Sequence, residues 1–432
     1  MGISILIALL MGLFTCWYFF ISLNKKVSFK EFFLMLYFIN YLLSPAIIYL
    51  IPEEYVFYKM RLPADKYFFI SSIGLLGILI GVNLIKTPLL FKPNIQLIQL
   101  ESALNQKVLQ SWLIIGIILS LIAGFFPSEI AFLIYLLSLI RFIGSFGLYS
   151  LNPNKNFKYV IGVLGYEFIV SLRYGMFHDF VMWTVFFIIY YLYLKKITNP
   201  KKVFLMILAF IAVSFIQNSK ATYREALGRQ EVAGLNTFIK SSKLIQNNNH
   251  TNNFIYSDNF INSITRINQG WIFASVIDNM DRYRNFQGLA VVNEYVKAAL
   301  LPRFLAPDKI KAGDKKIFNQ FSGTTINDET SMGIGILGDG YVAYGEFGVF
   351  IFGLCFGLCF AIIFKIVSVW TKVSPFFFLF IFPILNYAVR PDCELQTILG
   401  HMVKSVLIFW VFVNYYKGYF QRKLLYLQNA TT

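Results

Sequence analysis

QNSKATYREALGRQE (217–231) opens a polar stretch and SGTTINDETSMGIGILGDGY (322–341) closes it, inside an otherwise apolar chain. Between them lies the segment 218–337, 120 residues long, with 14 Lys or Arg and 10 Asp or Glu. On both sides the sequence runs for 17 to 22 residues at a time without a charge. About 20 such residues span a bilayer as a helix. The flanks therefore decide the fold class, and the polar segment is an excursion from it.

Composition says the same. The chain has 432 residues, 57% hydrophobic and 14% charged, with mean hydropathy +0.62. A soluble domain carries about 25% charge. Alternating strands of the kind a membrane β-barrel needs, roughly ten residues each, are absent from the pattern. The expected fold is an all-α polytopic membrane protein of about 11 (10–12) helices with one large, mostly helical extracytoplasmic loop. The spans are 3–23, 31–51, 68–85, 110–126, 129–149, 157–173, 179–194, 202–217, 345–368, 374–389 and 395–416. The first lacks the basic start and small-residue cleavage site of a signal peptide.

Orientation follows from the lysines and arginines of the short connections. One set holds 17, among them Lys25, Lys26, Lys30, Lys86 and Lys92; the other holds 5. The richer side is cytoplasmic, which puts the N-terminus and the 218–337 loop outside and the C-terminus inside. Three regions result: an N-terminal bundle of about eight helices (1–217), the loop (218–337), and a C-terminal part of about three helices with a tail (338–432). The net charge of +16 belongs to these helix ends and calls for no nucleic acid.

Within the loop, QNNNHTNN (246–253) is low in complexity. Residues 254–286 and 289–307 carry apolar residues at helical spacing, suited to a membrane surface or to the mouth of the bundle. The four cysteines, Cys16, Cys355, Cys359 and Cys393, all lie outside the loop and supply no disulfide framework for it. Cys355 and Cys359 sit in an apolar helix and read as packing. The chain shows no Walker loop, no HExxH and no nucleophile elbow. No metal and no cofactor are expected.

What the outer face offers is arginine. Arg224, Arg229, Arg266, Arg282, Arg284 and Arg303 lie in the loop, and Arg173 and Arg390 at outer helix ends. Guanidinium groups stay charged and grip phosphate oxygens with two donors at once. Arg173, in SLRYGMFHDF, has two candidate partners: Glu167 one turn and a half before it, or a substrate phosphate. Arg141, inside LSLIRFIGSF, needs an internal partner or a route to the interface. For proton acceptors the sequence offers Asp339 and Glu346 at the outer start of the span after the loop, and His178 at another outer helix end.

Two stretches carry a family resemblance. ALLPRFLAPDKIKAGDKKIFNQFSG (299–323) resembles the Pro-Arg…Pro-Asp-Lys segment of the Wzy-type O-antigen and exopolysaccharide repeat-unit polymerases, through Pro302, Arg303, Pro307, Asp308 and Lys309. GILGDGYVAYGEFGVFIFGLCFG (335–357) is similar to the acidic, aromatic and glycine-rich start of the helix after that family's periplasmic loop, through Asp339, Tyr341, Tyr344, Gly345 and Gly348. SLRYGMF resembles its mid-chain arginine. The Arg-x10-Gly pattern of some members is absent, since residue 235 is Leu.

The resemblance implies polymerisation of undecaprenyl-pyrophosphate-linked oligosaccharides at the periplasmic face of the bacterial inner membrane, without metal or nucleotide sugar. It implies membrane lipid, a chain-length regulator and a flippase as neighbours. Arg173, Arg303 and Arg390, then Arg266 and Arg284, would bind the pyrophosphate; Asp339, then Glu346 and His178, would take the proton. An O-antigen ligase shares this topology and donor. A transporter or flippase is the reading from another class, with ionisable residues expected near the midplane of two related halves.

Overall fold

The computed structural model describes residues 2–87, 90–229, 232–246, 258–283, 285–301, 306, 310, 313, 315–326 and 332–431. Among them every regular element is helical. Among the described residues, eight helices are long and apolar enough to cross a membrane: Ile3–Ser22, Phe29–Leu50, Ala64–Asn83, Gln106–Phe125, Ile130–Leu151, Asn199–Gly228, Gly335–Trp370 and Leu395–Gly418. In Ile3–Ser22 only 22% of the apolar window is buried, with Leu6, Leu10, Phe14 and Trp17 exposed. An apolar helix bare on most sides suits hydrocarbon, where its backbone groups are already satisfied within the helix. Where spans are expected at 157–173, 179–194 and 374–389, the helices Pro153–Tyr174 and His178–Lys195 and the shorter apolar piece Pro375–Leu385 are found.

The central contact is between Ala64–Asn83 and Gly335–Trp370, and it is made by glycine. Gly77 and Gly81 face Gly353 and Gly357, four residues apart on each helix. A Cβ on Gly353 would lie 2.3 Å from the Gly74 carbonyl, and one on Gly81 would lie 2.2 Å from the Leu354 carbonyl. Lipid offers no hydrophobic drive between helices, so close backbone approach and dispersion do the work.

Two irregularities shape the end of the bundle that meets the loop. A π-segment, Ile39–Leu43, precedes Pro45. Proline has no N–H for the carbonyl four residues back, and that carbonyl, on Tyr41, accepts the Tyr67 hydroxyl at 2.9 Å instead. The second lies in Gly335–Trp370, whose helix breaks at Tyr344 and Gly345, the latter at φ 61°. Glycine alone takes that conformation readily. The carbonyls freed on Val342 and Ala343 accept the backbone N–H groups of Gln287 and Gly288, both at 3.0 Å.

Five helices fall between Gly228 and Gly335 among the described residues: Leu235–Gln246, Asp258–Ile267, Gly270–Tyr283, Leu289–Leu300 and Lys315–Ser322. Gly270–Tyr283 enters the bundle mouth, burying Trp271 through Ile277. Asp281 near its end ion-pairs with Lys66 and accepts the Tyr341 hydroxyl at 2.5 Å. Of the stretch 254–286, the described helices Asp258–Ile267 and Gly270–Tyr283 pack against the bundle. Glu167 is not the partner of Arg173. It pairs with the buried Arg141, because both point between Ile140–Leu151 and Pro153–Tyr174 while Arg173 sits exposed in the last turn.

Candidate functional site: a charged cleft at the loop end of the bundle

A cleft of about 660 Å³ opens where the loop helices meet the connector 386–394. Arg266 enters it from the last turn of Asp258–Ile267, and Arg390 from the connector. Two buried tyrosines of Phe29–Leu50 fix the connector. The Tyr37 hydroxyl donates to the Ala388 carbonyl at 3.3 Å and the Tyr41 hydroxyl to the Pro391 carbonyl at 3.5 Å. Arg390 therefore sits on a braced backbone, with its guanidinium 5.3 Å from the Tyr387 ring centre.

Asp392 meets Arg390 with both oxygens, at 3.3 and 3.0 Å. Desolvation in the cleft pushes the Asp392 carboxyl up, but Arg390 and His178 outweigh it and hold its pKa down at about 2. Burial works against the Arg390 charge, and the carboxylate of Asp392 more than restores it. Arg266 has no carboxylate partner among the described residues. Desolvation within the cleft, and to a lesser degree the charge of Arg224, lowers its pKa. Lys220 interacts electrostatically with Arg224, Arg266 and Arg390 as well as Asp392. Glu394 also lines the cleft, and its oxygens accept the Gly313 N–H at 3.0 Å and the Gln396 amide at 2.8 Å.

A second cleft of about 580 Å³ shares Phe57, Tyr58, Trp271 and Met332 with the first. Tyr58 and Trp271 stack there with ring centres 4.3 Å apart and planes 17° from parallel. Ser275, Thr324 and Thr325 bring hydroxyls, and Lys59 and Arg61 bring charge. The two clefts share this aromatic wall; the first adds two arginines and two carboxylates, the second hydroxyls and two cations.

The residues singled out from sequence divide. Arg266 and Arg390 line one cleft, and His178, hydrogen-bonded to Asp179 at 3.3 Å, acts electrostatically on Arg390's partner Asp392 and feels Arg390. Arg173 is exposed over the Tyr174 ring and lines neither cleft. Asp339 is buried before the helix break, accepting the Leu395 N–H at 3.3 Å and hydrogen-bonded to Tyr295. Glu346 is exposed just after the break. Arg284 and Arg303, with Pro302, Pro307, Asp308 and Lys309, lie outside the described residues. Asp392, Glu394, Lys220, Tyr58 and Trp271 were not singled out. Asp392 stands two residues after Arg390 in VRPDCE, which was signal enough.

A family model described as a domain of unknown function, DUF8712, matches residues 21–370. The chain belongs to the DUF8712 family. No curated protein and no solved structure matches the chain. The DUF8712 match takes in Arg266, Tyr58 and Trp271 but stops at Trp370, so the cleft also draws on Arg390 and Asp392 from beyond it.

Proposed function

We propose that this DUF8712 chain is a Wzy-type polymerase: a membrane glycosyltransferase that joins undecaprenyl-pyrophosphate-linked oligosaccharides on the outer face of the bacterial inner membrane. The observation that carries the reading is the shared wall between an arginine-lined cleft and an aromatic, hydroxyl-lined one. A pyrophosphate joined to a glycan has those two chemistries side by side. In this reading the loop lies outside and the C-terminus inside. Pro153–Tyr174 and His178–Lys195 also cross the membrane, and Pro375–Leu385 packs among the spans.

The reaction balances without a further reagent. An acceptor hydroxyl oxygen bonds to the donor's anomeric carbon, the bond from that carbon to the pyrophosphate oxygen breaks, and undecaprenyl pyrophosphate leaves with the electron pair. Arg266 and Arg390 stabilise the charge on the departing oxygens, an effect strongest in a preorganised, water-poor site. His178, next to Arg390 and Asp392, takes the hydroxyl proton. Tyr58 and Trp271 offer their faces to sugar rings.

The test is a gel of surface glycan from the native host lacking this gene. Collapse of long ladders to a single repeat unit, restored by the wild-type gene but not by R390A, supports the polymerase. Polymer that persists on undecaprenyl pyrophosphate makes the protein a ligase. An unchanged ladder with no loss of secreted polysaccharide removes the reading.

A further inference from the structure

At the opposite end of the bundle lies a groove of about 940 Å³ between Ile3–Ser22, Phe29–Leu50 and Ala64–Asn83, which the glycan chemistry above does not use. Its two ends differ. One holds Lys26, Lys30, Lys86 and Lys92 with a single acid, Glu31, a balance of four positive charges to one negative. The other is walled by Leu10, Phe14, Leu34, Phe38 and Leu79. Leu10, Phe14 and Leu79 are exposed, so this end opens sideways, where lipid would stand.

Dimensions fit one leaflet. From Lys30 to Phe38 the helix climbs eight residues, roughly 12 Å at its usual rise. Half of a bilayer's hydrocarbon core is about 15 Å. The groove therefore has a polar head at the depth of lipid phosphates and an apolar floor at the depth of acyl chains.

Glu31 adds a chemical detail. Its side chain is almost wholly buried, and Lys26 Nζ bonds one oxygen at 2.6 Å. The other oxygen, Oε2, is buried with no hydrogen-bond partner among the described residues. A buried acceptor left empty costs free energy that a donor from a ligand recovers. Lys30 Nζ is turned to the Asn83 side-chain oxygen at 2.5 Å, which holds that lysine at the groove's rim.

We infer that this groove binds an anionic glycerophospholipid of the lysine-side leaflet, its phosphate held by Lys26, Lys30, Lys86 and Lys92, its headgroup hydroxyl donated to Glu31 Oε2, and an acyl chain laid along Leu10, Leu34 and Phe38. Basic pockets between membrane helices take anionic headgroups by this chemistry. The inference does not rest on the glycosyltransferase reading.

The experiment uses the full-length protein in nanodiscs and in detergent, with native mass spectrometry and thermal shift as readouts. Phosphatidylglycerol binds and raises the melting temperature; phosphatidylcholine and inorganic phosphate do not. Phosphatidylmethanol, of equal charge but without headgroup hydroxyls, binds more weakly than phosphatidylglycerol. The K86Q/K92Q variant, changed only at exposed positions, keeps its lipid-free melting temperature and loses about thirtyfold in affinity for phosphatidylglycerol. Equal binding of phosphatidylcholine, or an unchanged affinity in K86Q/K92Q, overturns the proposal. Protection by inorganic phosphate alone reduces the groove to an anion site. Displacement of phosphatidylglycerol by a polyprenyl phosphate at lower concentration assigns it to the other lipid class and overturns the occupant named here.

Discussion

Arg141 Nη2 donates to Glu167 Oε2 across 2.6 Å, and both side chains are buried between neighbouring helices. Arg141 Nη1 is taken up by the Ser138 carbonyl at 2.9 Å and hydroxyl at 2.7 Å, and the guanidinium lies 4.6 Å from the Phe142 ring centre. A lone charge at this depth is expensive, and the pair offsets much of that cost. Its two residues join Ile140–Leu151 to Pro153–Tyr174. R141M or E167M alone leaves the other charge buried and unpaired, at a cost of about 3–5 kcal/mol. The double variant R141M/E167M recovers most of the loss. Melting temperatures of the four proteins in detergent check this, and a single variant as stable as wild type would sink it.

Much of the helical frame could be read from apolar runs, because a bilayer demands length and lack of charge and both are local properties. What escaped was pairing. Glu167 lies six residues from Arg173 and 26 from Arg141 in sequence, yet its partner is the distant one. Arg266 and Arg390 stand out singly for their chemistry. That they share a cleft depends on a loop helix reaching the connector, which no spacing encodes. Asp339 reads as an acid at the outer start of the span after the loop; in the structure it is buried before the break at Gly345, accepting the Leu395 N–H and meeting Tyr295.

The cleft predicts a graded response to substitution. Arg390 holds Asp392 with two donors in a fixed plane, which lysine cannot reproduce. Under the proposed polymerase function, R390K and R266A each lower glycan transfer by about a hundredfold, the scale of removing one charge-stabilising donor. D392N, which frees Arg390 without removing it, has a smaller effect. R173A transfers near the wild-type rate. Transfer from a synthetic polyprenyl-pyrophosphate oligosaccharide in proteoliposomes gives the ranking, and loss in R173A equal to that in R390K contradicts the site as drawn.

Glycine positions in the central helix pair predict opposite outcomes for one chemical change. In G353A the new methyl meets the Gly74 carbonyl, which is backbone and cannot turn aside. The helices must separate, at about 1–3 kcal/mol. Gly162 and Gly165, on Pro153–Tyr174, have open space where a methyl group would stand, with no neighbour within 4 Å among the described residues. There alanine stabilises the helix by up to about 1 kcal/mol. Unfolding in a mild denaturing detergent should rank G162A at or above wild type and G353A below it; the reverse order would refute the glycine contact.

Glu101 gives a pH dependence with a definite sign. It is buried at the lysine end of the bundle, where it accepts the Ser374 hydroxyl and the Phe376 N–H, the latter at 3.1 Å. Burial raises its pKa from 4.5 to about 7, although the two hydrogen bonds pull it down. The folded protein thus keeps a proton that the unfolded chain has already lost between those values. This contribution to stability is fully present below about pH 4.5, falls as pH rises to about 7, and is flat above, with a total on the order of 3 kcal/mol. E101Q removes the titration while an amide oxygen still accepts the Phe376 N–H. Relative to wild type, E101Q is therefore more stable at about pH 8, and the gap closes as pH falls towards about 5. Melting temperatures of both proteins across that range decide it: parallel curves mean that Glu101 is charged in the folded state, and a gap that widens towards acid means that its carboxylate is the stabilising form.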